Sequence, residues 1–120
     1  ELYNKKKSGN PGFDFHSQSL DEVIIFGEAK YLDDRNAYGS GLKQVVRFIS
    51  DKKDIKDLAD LRDFCSQNAL SSVSKGMKGF AVAFSAKSTP SDTLVSNIIK
   101  NKDFISLLQH QEIIIVAVNI

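Results

Sequence analysis

Val23-Ile24-Ile25-Phe26-Gly27-Glu28-Ala29-Lys30-Tyr31 is the stretch on which the fold turns. Successive side chains of an extended chain point to opposite faces, so Ile24, Phe26, Glu28 and Lys30 share one face while Val23, Ile25, Gly27, Ala29 and Tyr31 share the other. Both faces are apolar through Ile24, Ile25 and Phe26. Such a strand is covered on both sides, which predicts a central place in a sheet. The face that opens with Ile24 and Phe26 then carries Glu28 and Lys30, a carboxylate and an ammonium leaving the core together. Charges taken partly out of water are costly unless they are paired or hold an ion.

Upstream, Phe13 and Phe15 alternate with Asp14 and His16, the period of a strand. The short polar link Ser17 to Asp21 predicts an antiparallel hairpin with Asp14 roughly opposite Phe26 and diagonal to Glu28, within cross-strand reach. Two carboxylates and a lysine then converge. Asp14 and Glu28 are hard oxygen ligands suited to Mg²⁺, which favours one or two carboxylates plus water and phosphate oxygens. Lys30 adds a cation able to hold a nucleophilic water and offset charge growing on a phosphate.

Downstream, Leu42, Val45, Val46 and Ile49 recur at the spacing of an amphipathic helix. A second helix is expected from about Ile55 to Leu70, with Leu58, Leu61 and Cys65 inward. Gly79 to Ala86 reads as a strand buried on both faces, and Pro90 and Ser91 open a helix with Ser91 as N-cap. Phe104 to Leu108 extend that helical region after a break near Asn101, and Ile113 to Val118 form a last buried strand. Helical crossovers between strands imply parallel pairing with right-handed connections. The expected fold class is therefore α/β, a mixed β-sheet of four or more strands flanked by helices. Residues 1–11, with Lys5, Lys6, Lys7, Gly9 and Pro11, read as a flexible lead-in, and 12–120 as a single domain.

The 120 residues are 42% hydrophobic and 26% charged, which excludes disordered, collagenous and membrane-spanning classes. Sixteen basic residues against fifteen acidic ones give a net charge of +1, so any polyanionic partner must be recognised by local placement. A lone Cys65 closes no intrachain disulfide and no signal-peptide pattern is present, which makes a cytoplasmic setting the expectation. The start at Glu1 and the stop at Ile120 suggest a piece of a longer protein, with further domains or subunits outside it. No phosphate-cradling Gly-x-x-x-x-Gly-Lys loop and no Gly-x-Ser-x-Gly elbow occurs.

Asp14, thirteen intervening residues, then Glu28-Ala29-Lys30 on a following strand resembles the PD-(D/E)xK nuclease superfamily, from Phe13 to about Ala86. The resemblance implies a restriction-endonuclease-like three-layer sandwich and a Mg²⁺-dependent endonuclease or phosphodiesterase that hydrolyses DNA, with Mn²⁺ substituting and RNA as the alternative polymer. It implies that Asp14, Glu28 and the carbonyl of Ala29 hold the metal, that Lys30 orients the water, and that Gln44, with Arg47 and Phe48 on nearby turns, faces the site. Gly12-Phe13-Asp14 with Gly27-Glu28-Ala29-Lys30-Tyr31 also looks like the nuclease subunit of certain anti-phage defence systems, which suggests a role in restriction or defence. Phe13 stands where many members have proline, and the acidic helix that often precedes the hairpin has no counterpart here.

Each residue also has a plainer meaning. A Glu-x-Lys on a strand alone is commonly an exposed ion pair worth little, Gln44 can be a solvated helix residue, and Asp33 and Asp34 suit a loop. His16 shares the Asp14 face, but His16 and His110 lack metal-ligand spacing. Lys5 to Lys7, Lys30 and Arg35 could touch a phosphate backbone. The rival functional class is a non-catalytic structural or partner-binding domain with the same fold, and metal binding separates the two.

Overall fold

The computed structural model describes residues 2–5, 12–32, 36–87 and 89–118. Strands β1 (Leu2–Lys5), β2 (Phe15–Gln18) and β3 (Ile24–Lys30) form an antiparallel meander, and β4 (Gly79–Ser85) and β5 (Glu112–Val118) continue the sheet in parallel. The order across the sheet is β1-β2-β3-β4-β5. The both-faced apolar β3 is thus its central strand. Leu2–Lys5, expected within a lead-in, instead pairs with β2; the rest of that lead-in, residues 1 and 6–11, lies outside the described residues.

The hairpin link is later than the sequence suggests. Ser19 closes it, its N–H on the Val23 carbonyl at 2.9 Å and its carbonyl accepting from Glu22 N–H at 3.0 Å, with Glu22 at φ 60°. Because the connection runs through Ser19 to Val23, Phe15 faces Gly27 and His16 faces Phe26. Asp14 therefore lies beside Glu28 rather than opposite Phe26. The two-residue shift keeps every side chain on its expected face, since a strand has period two.

Between β3 and β4 come α1 (Ala37–Ser50), α2 (Lys53–Lys56), α3 (Leu58–Leu61) and α4 (Gln67–Ser74); α5 (Ser91–Lys100) and α6 (Lys102–Leu107) connect β4 to β5. The single helix expected from Ile55 to Leu70 is three short ones. Lys52 at φ 58° ends the first long helix in a left-handed turn, and Ser66, extended at ψ 154°, starts α4 by accepting Ala69 N–H on its hydroxyl. Asn101 similarly caps α6 through Asp103 and Phe104 N–H. Pro90, not Ser91, takes the N-cap place of α5.

β3, β4 and β5 advance in one direction across the sheet, so two right-handed crossovers place their helices on the same face. Ile24, Phe26, Phe80, Val82 and Phe84 meet Leu42, Val45, Phe48, Leu61, Val73, Leu94 and Leu107 there. Phe13 fills the centre, its ring 5.3–5.7 Å from those of Phe26, Phe48 and Phe80. The opposite face carries a small cluster of Val23, Ile25, Ala81 and Phe15, with no helical residue in it. Among the described residues the structure thus has two layers, where the resemblance implies three. β5, expected as a buried strand, stands at the sheet edge with Ile114, Val116 and Val118 exposed. No described helix is long and apolar enough to cross a membrane.

Candidate functional site

Asp14 precedes β2 and is tied to the residues on either side of Glu28. Its N–H donates to the Gly27 carbonyl at 2.8 Å, and its Oδ2 accepts from Ala29 N–H at 3.0 Å. The carboxylate completes the strand pairing where β2 has not yet begun. Residues two apart on a strand direct their backbone polar groups to the same neighbour, and a residue's N–H and C=O point the same way. The Ala29 carbonyl accordingly emerges on the Asp14 side of β3. The Phe15 ring lies over Gly27, where a Cβ would clash with three atoms of that ring.

Glu28 points to the helical face and is only 5% exposed. Lys30 follows on the same face, about 7 Å farther along the strand, and is half-buried. Its Cβ and Cγ stem lies against Gly41 of α1, where an added Cβ would approach Val82 to 2.6 Å. Gly41 lets α1 settle directly on β4 and over Lys30. The Lys30 head enters a cleft of about 590 Å³ that is also lined by Ser40, Lys43, Gln44, Arg47 and Asp103. Gln44 therefore shares a cavity with Lys30. Its Oε1 accepts from an Arg47 guanidinium N–H at 2.9 Å.

The sheet register thus sets Asp14 beside Glu28 and Ala29 on β3, while Lys30 and Gln44 line a cleft whose lining includes neither carboxylate. Asp33, Asp34 and Arg35 lie outside the described residues, as do Lys6 and Lys7. Among the described residues no group of three or more His, Cys, Asp and Glu side chains gathers as a metal site; two carboxylates and a carbonyl form a smaller donor set. His16 is not in the cleft. It is 3% exposed, bonds Asp57 Oδ2 through Nε2 at 2.9 Å and packs its ring edge on Phe26.

Sequence reasoning missed two buried polar clasps. Asp57 holds the approach to β2, accepting from Phe13 N–H at 3.4 Å as well as bonding His16. Asp54, 1% exposed, pairs with Lys78 just before β4. Neither carries a motif; both are single acids in a charge-rich stretch. His110 packs on Phe80 with ring centroids 4.8 Å apart, and its pKa is lowered by burial and by the nearby Lys78 cation, partly offset by Asp54. Burial raises the Cys65 thiol, which lacks any activating partner in that shift. The cleft residues Lys43 and Asp103 were also missed, although Ser40, Lys43, Gln44 and Arg47 form a polar stripe at helical spacing opposite the apolar one.

Compared with protein-family models, with curated proteins and with solved structures, the chain matches none.

Proposed function

We propose that this chain is a metal-dependent nuclease of the restriction-endonuclease-like kind, hydrolysing phosphodiester bonds of DNA in the cytoplasm, in restriction or anti-phage defence. The observation that carries the reading is the bracketing of Glu28: Asp14 bonds the backbone of Gly27 and Ala29 on either side of it, and Lys30 follows on the same face. The donor set fits a hard divalent ion. Asp14, Glu28 and the Ala29 carbonyl would hold Mg²⁺, which takes one or two carboxylates and completes its shell with water and phosphate oxygens. When bound, the ion supplies Lewis acidity to the scissile phosphate and the leaving oxygen.

The protein groups do the positioning. Lys30 donates hydrogen bonds to a water and to a phosphate oxygen, holding the one in line with the other. The water oxygen bonds to phosphorus as the bond to the leaving oxygen breaks; the proton given up by water goes to solvent and the leaving oxygen takes one back. Packing of the lysine stem on Gly41 limits its rotamers, so less freedom is lost when it engages.

One observation favours the rival reading, a structural or partner-binding domain: the Asp14–Ala29 bond by itself is a sufficient structural task for that carboxylate. Metal binding distinguishes the two. Calorimetric titration with Mn²⁺ should show one site in the wild type that Glu28→Gln and Asp14→Asn each remove, with both variants folded by circular dichroism. Equal heats in all three proteins would place the ion elsewhere and leave the structural domain as the better account.

A further inference from the structure

We propose that the polar stripe of α1 is the track on which this protein holds a DNA backbone, delivering the scissile phosphate to Lys30. The inference deepens the nuclease reading by naming the surface that binds the polymer. It rests on the cleft beside Lys30, which α1 lines with Ser40, Lys43, Gln44, Arg47 and Ser50 together with the apolar Val46, and α6 with Asp103.

The chemistry of that wall is one-sided. Lysine and arginine donate hydrogen bonds and cannot accept them, so the bond between Arg47 and Gln44 must use the amide oxygen of Gln44. That leaves the amide N–H groups as what Gln44 offers to the cleft. Lys30, Lys43, Gln44 and Arg47 thus present donors, and a hydroxyl at Ser40 can follow suit. Phosphodiesters are acceptors only and carry one negative charge each, so they complement this wall as neither a neutral sugar nor a peptide does. Three cations face one carboxylate across the cleft, which gives a local charge of +2 in a chain whose total is only +1.

The dimensions agree. Ser40 to Arg47 spans about 10 Å of helix at 1.5 Å per residue. That length is enough for a strand backbone laid along the stripe to present more than one phosphate to it. Binding carried by these cations to phosphates is salt-sensitive.

The test is a fluorescence-anisotropy titration of the whole chain, without divalent ions, against labelled oligo-dT of 4, 12 and 25 nucleotides and a 25-base-pair duplex. Inorganic phosphate and poly-glutamate serve as competitors. Affinity should rise with length, and Lys43→Ala and Arg47→Ala should each weaken it about tenfold. Each should also lower the slope of log affinity against log salt by about 0.7 on single strands or 0.9 on duplex. Asp103→Asn should act with the opposite sign, and Lys75→Ala, on the exposed end of α4, should leave binding unchanged. Unchanged affinity in Lys43→Ala and Arg47→Ala overturns the proposal. So does competition by poly-glutamate as effective, charge for charge, as by oligo-dT, which would mark a site for acidic protein, or by inorganic phosphate, which would mark a simple anion pocket. A stripe-dependent affinity in a protein that never cleaves DNA would sustain this inference while removing the nuclease reading.

Discussion

Replacing Phe13 by alanine should destabilise the protein by about 4–5 kcal/mol. Its side chain is 1% exposed and touches Phe26, Phe48 and Phe80 at centroid separations near 5.5 Å, one of them edge-on. Truncating a buried Phe costs roughly 3–5 kcal/mol through lost transfer energy and the cavity left behind. Three aromatic neighbours, each pair worth about 0.5–1.5 kcal/mol beyond area, put this site at the upper end. For 120 residues the unfolding entropy is about 0.25 kcal/mol/K, so the melting temperature should fall by roughly 16–20 °C. Urea denaturation followed by tyrosine fluorescence and by circular dichroism gives the free energy directly. Phe13→Leu, which keeps most of the apolar volume but loses the three ring contacts, should cost roughly 1.5–3 kcal/mol. Phe15→Ala is the control on the other face, where Phe15 is only partly buried, and it should cost about 1–2 kcal/mol. A Phe13→Ala loss no larger than that of Phe15→Ala would refute the account in which the helical face is the core and Phe13 anchors the approach to Asp14.

Lys78→Met should cost about 3–5 kcal/mol because it leaves Asp54 buried without its cation, whereas Asp54→Leu combined with Lys78→Met should recover most of that loss; a double variant as unstable as the single one would contradict the pairing. Acidification should destabilise the fold through His110. Its folded pKa lies below the ordinary value of 6.5, so the unfolded chain takes the proton first, and stability present above about pH 6.5 declines as pH falls through that value, levelling below the folded pKa. The wild type should therefore lose urea midpoint between pH 8 and pH 5 faster than His110→Phe, which keeps a ring against Phe80; parallel pH profiles would show that His110 contributes nothing.

The parts of the fold legible in the sequence are those written in side-chain periodicity. The two apolar faces of Ile24, Ile25 and Phe26 located β3, the spacing of Leu42 and Val45 located α1, and the apolar run after Gly79 located β4. Periodicity says nothing about neighbours, and so β5 was read as buried: Ile113 to Val118 is apolar throughout whether a strand lies inside a sheet or at its edge. The one-sided helical layer follows from strand order, a property of the whole chain rather than of any segment. Leu2–Lys5 lacks alternation, and the turn formers Gly9, Asn10 and Pro11 after it make the whole stretch read as a lead-in rather than as a strand and turn. The segmentation after α1 depends on Lys52 adopting a left-handed conformation that no glycine announces. At the candidate site, the association of Asp14 with the Glu28 strand was legible from the hairpin, but its register depended on where the turn closes. Ser19 and Glu22 decide that by backbone bonds rather than by a composition signal.

The most direct test of the central claim is cleavage of plasmid DNA in 5–10 mM Mg²⁺, a concentration on the order of those that fill weak carboxylate sites, by wild-type protein and by Lys30→Ala. Both must be purified identically, matched in melting temperature and compared at DNA-saturating protein concentration, because Lys30 is also one of the cations lining the cleft. The wild type should nick or linearise the plasmid and stop on chelation of the metal, and Lys30→Ala should lose at least about a hundredfold, the scale of removing one charge that acts in the transition state. Cleavage at the wild-type rate by folded Lys30→Ala would contradict the claim.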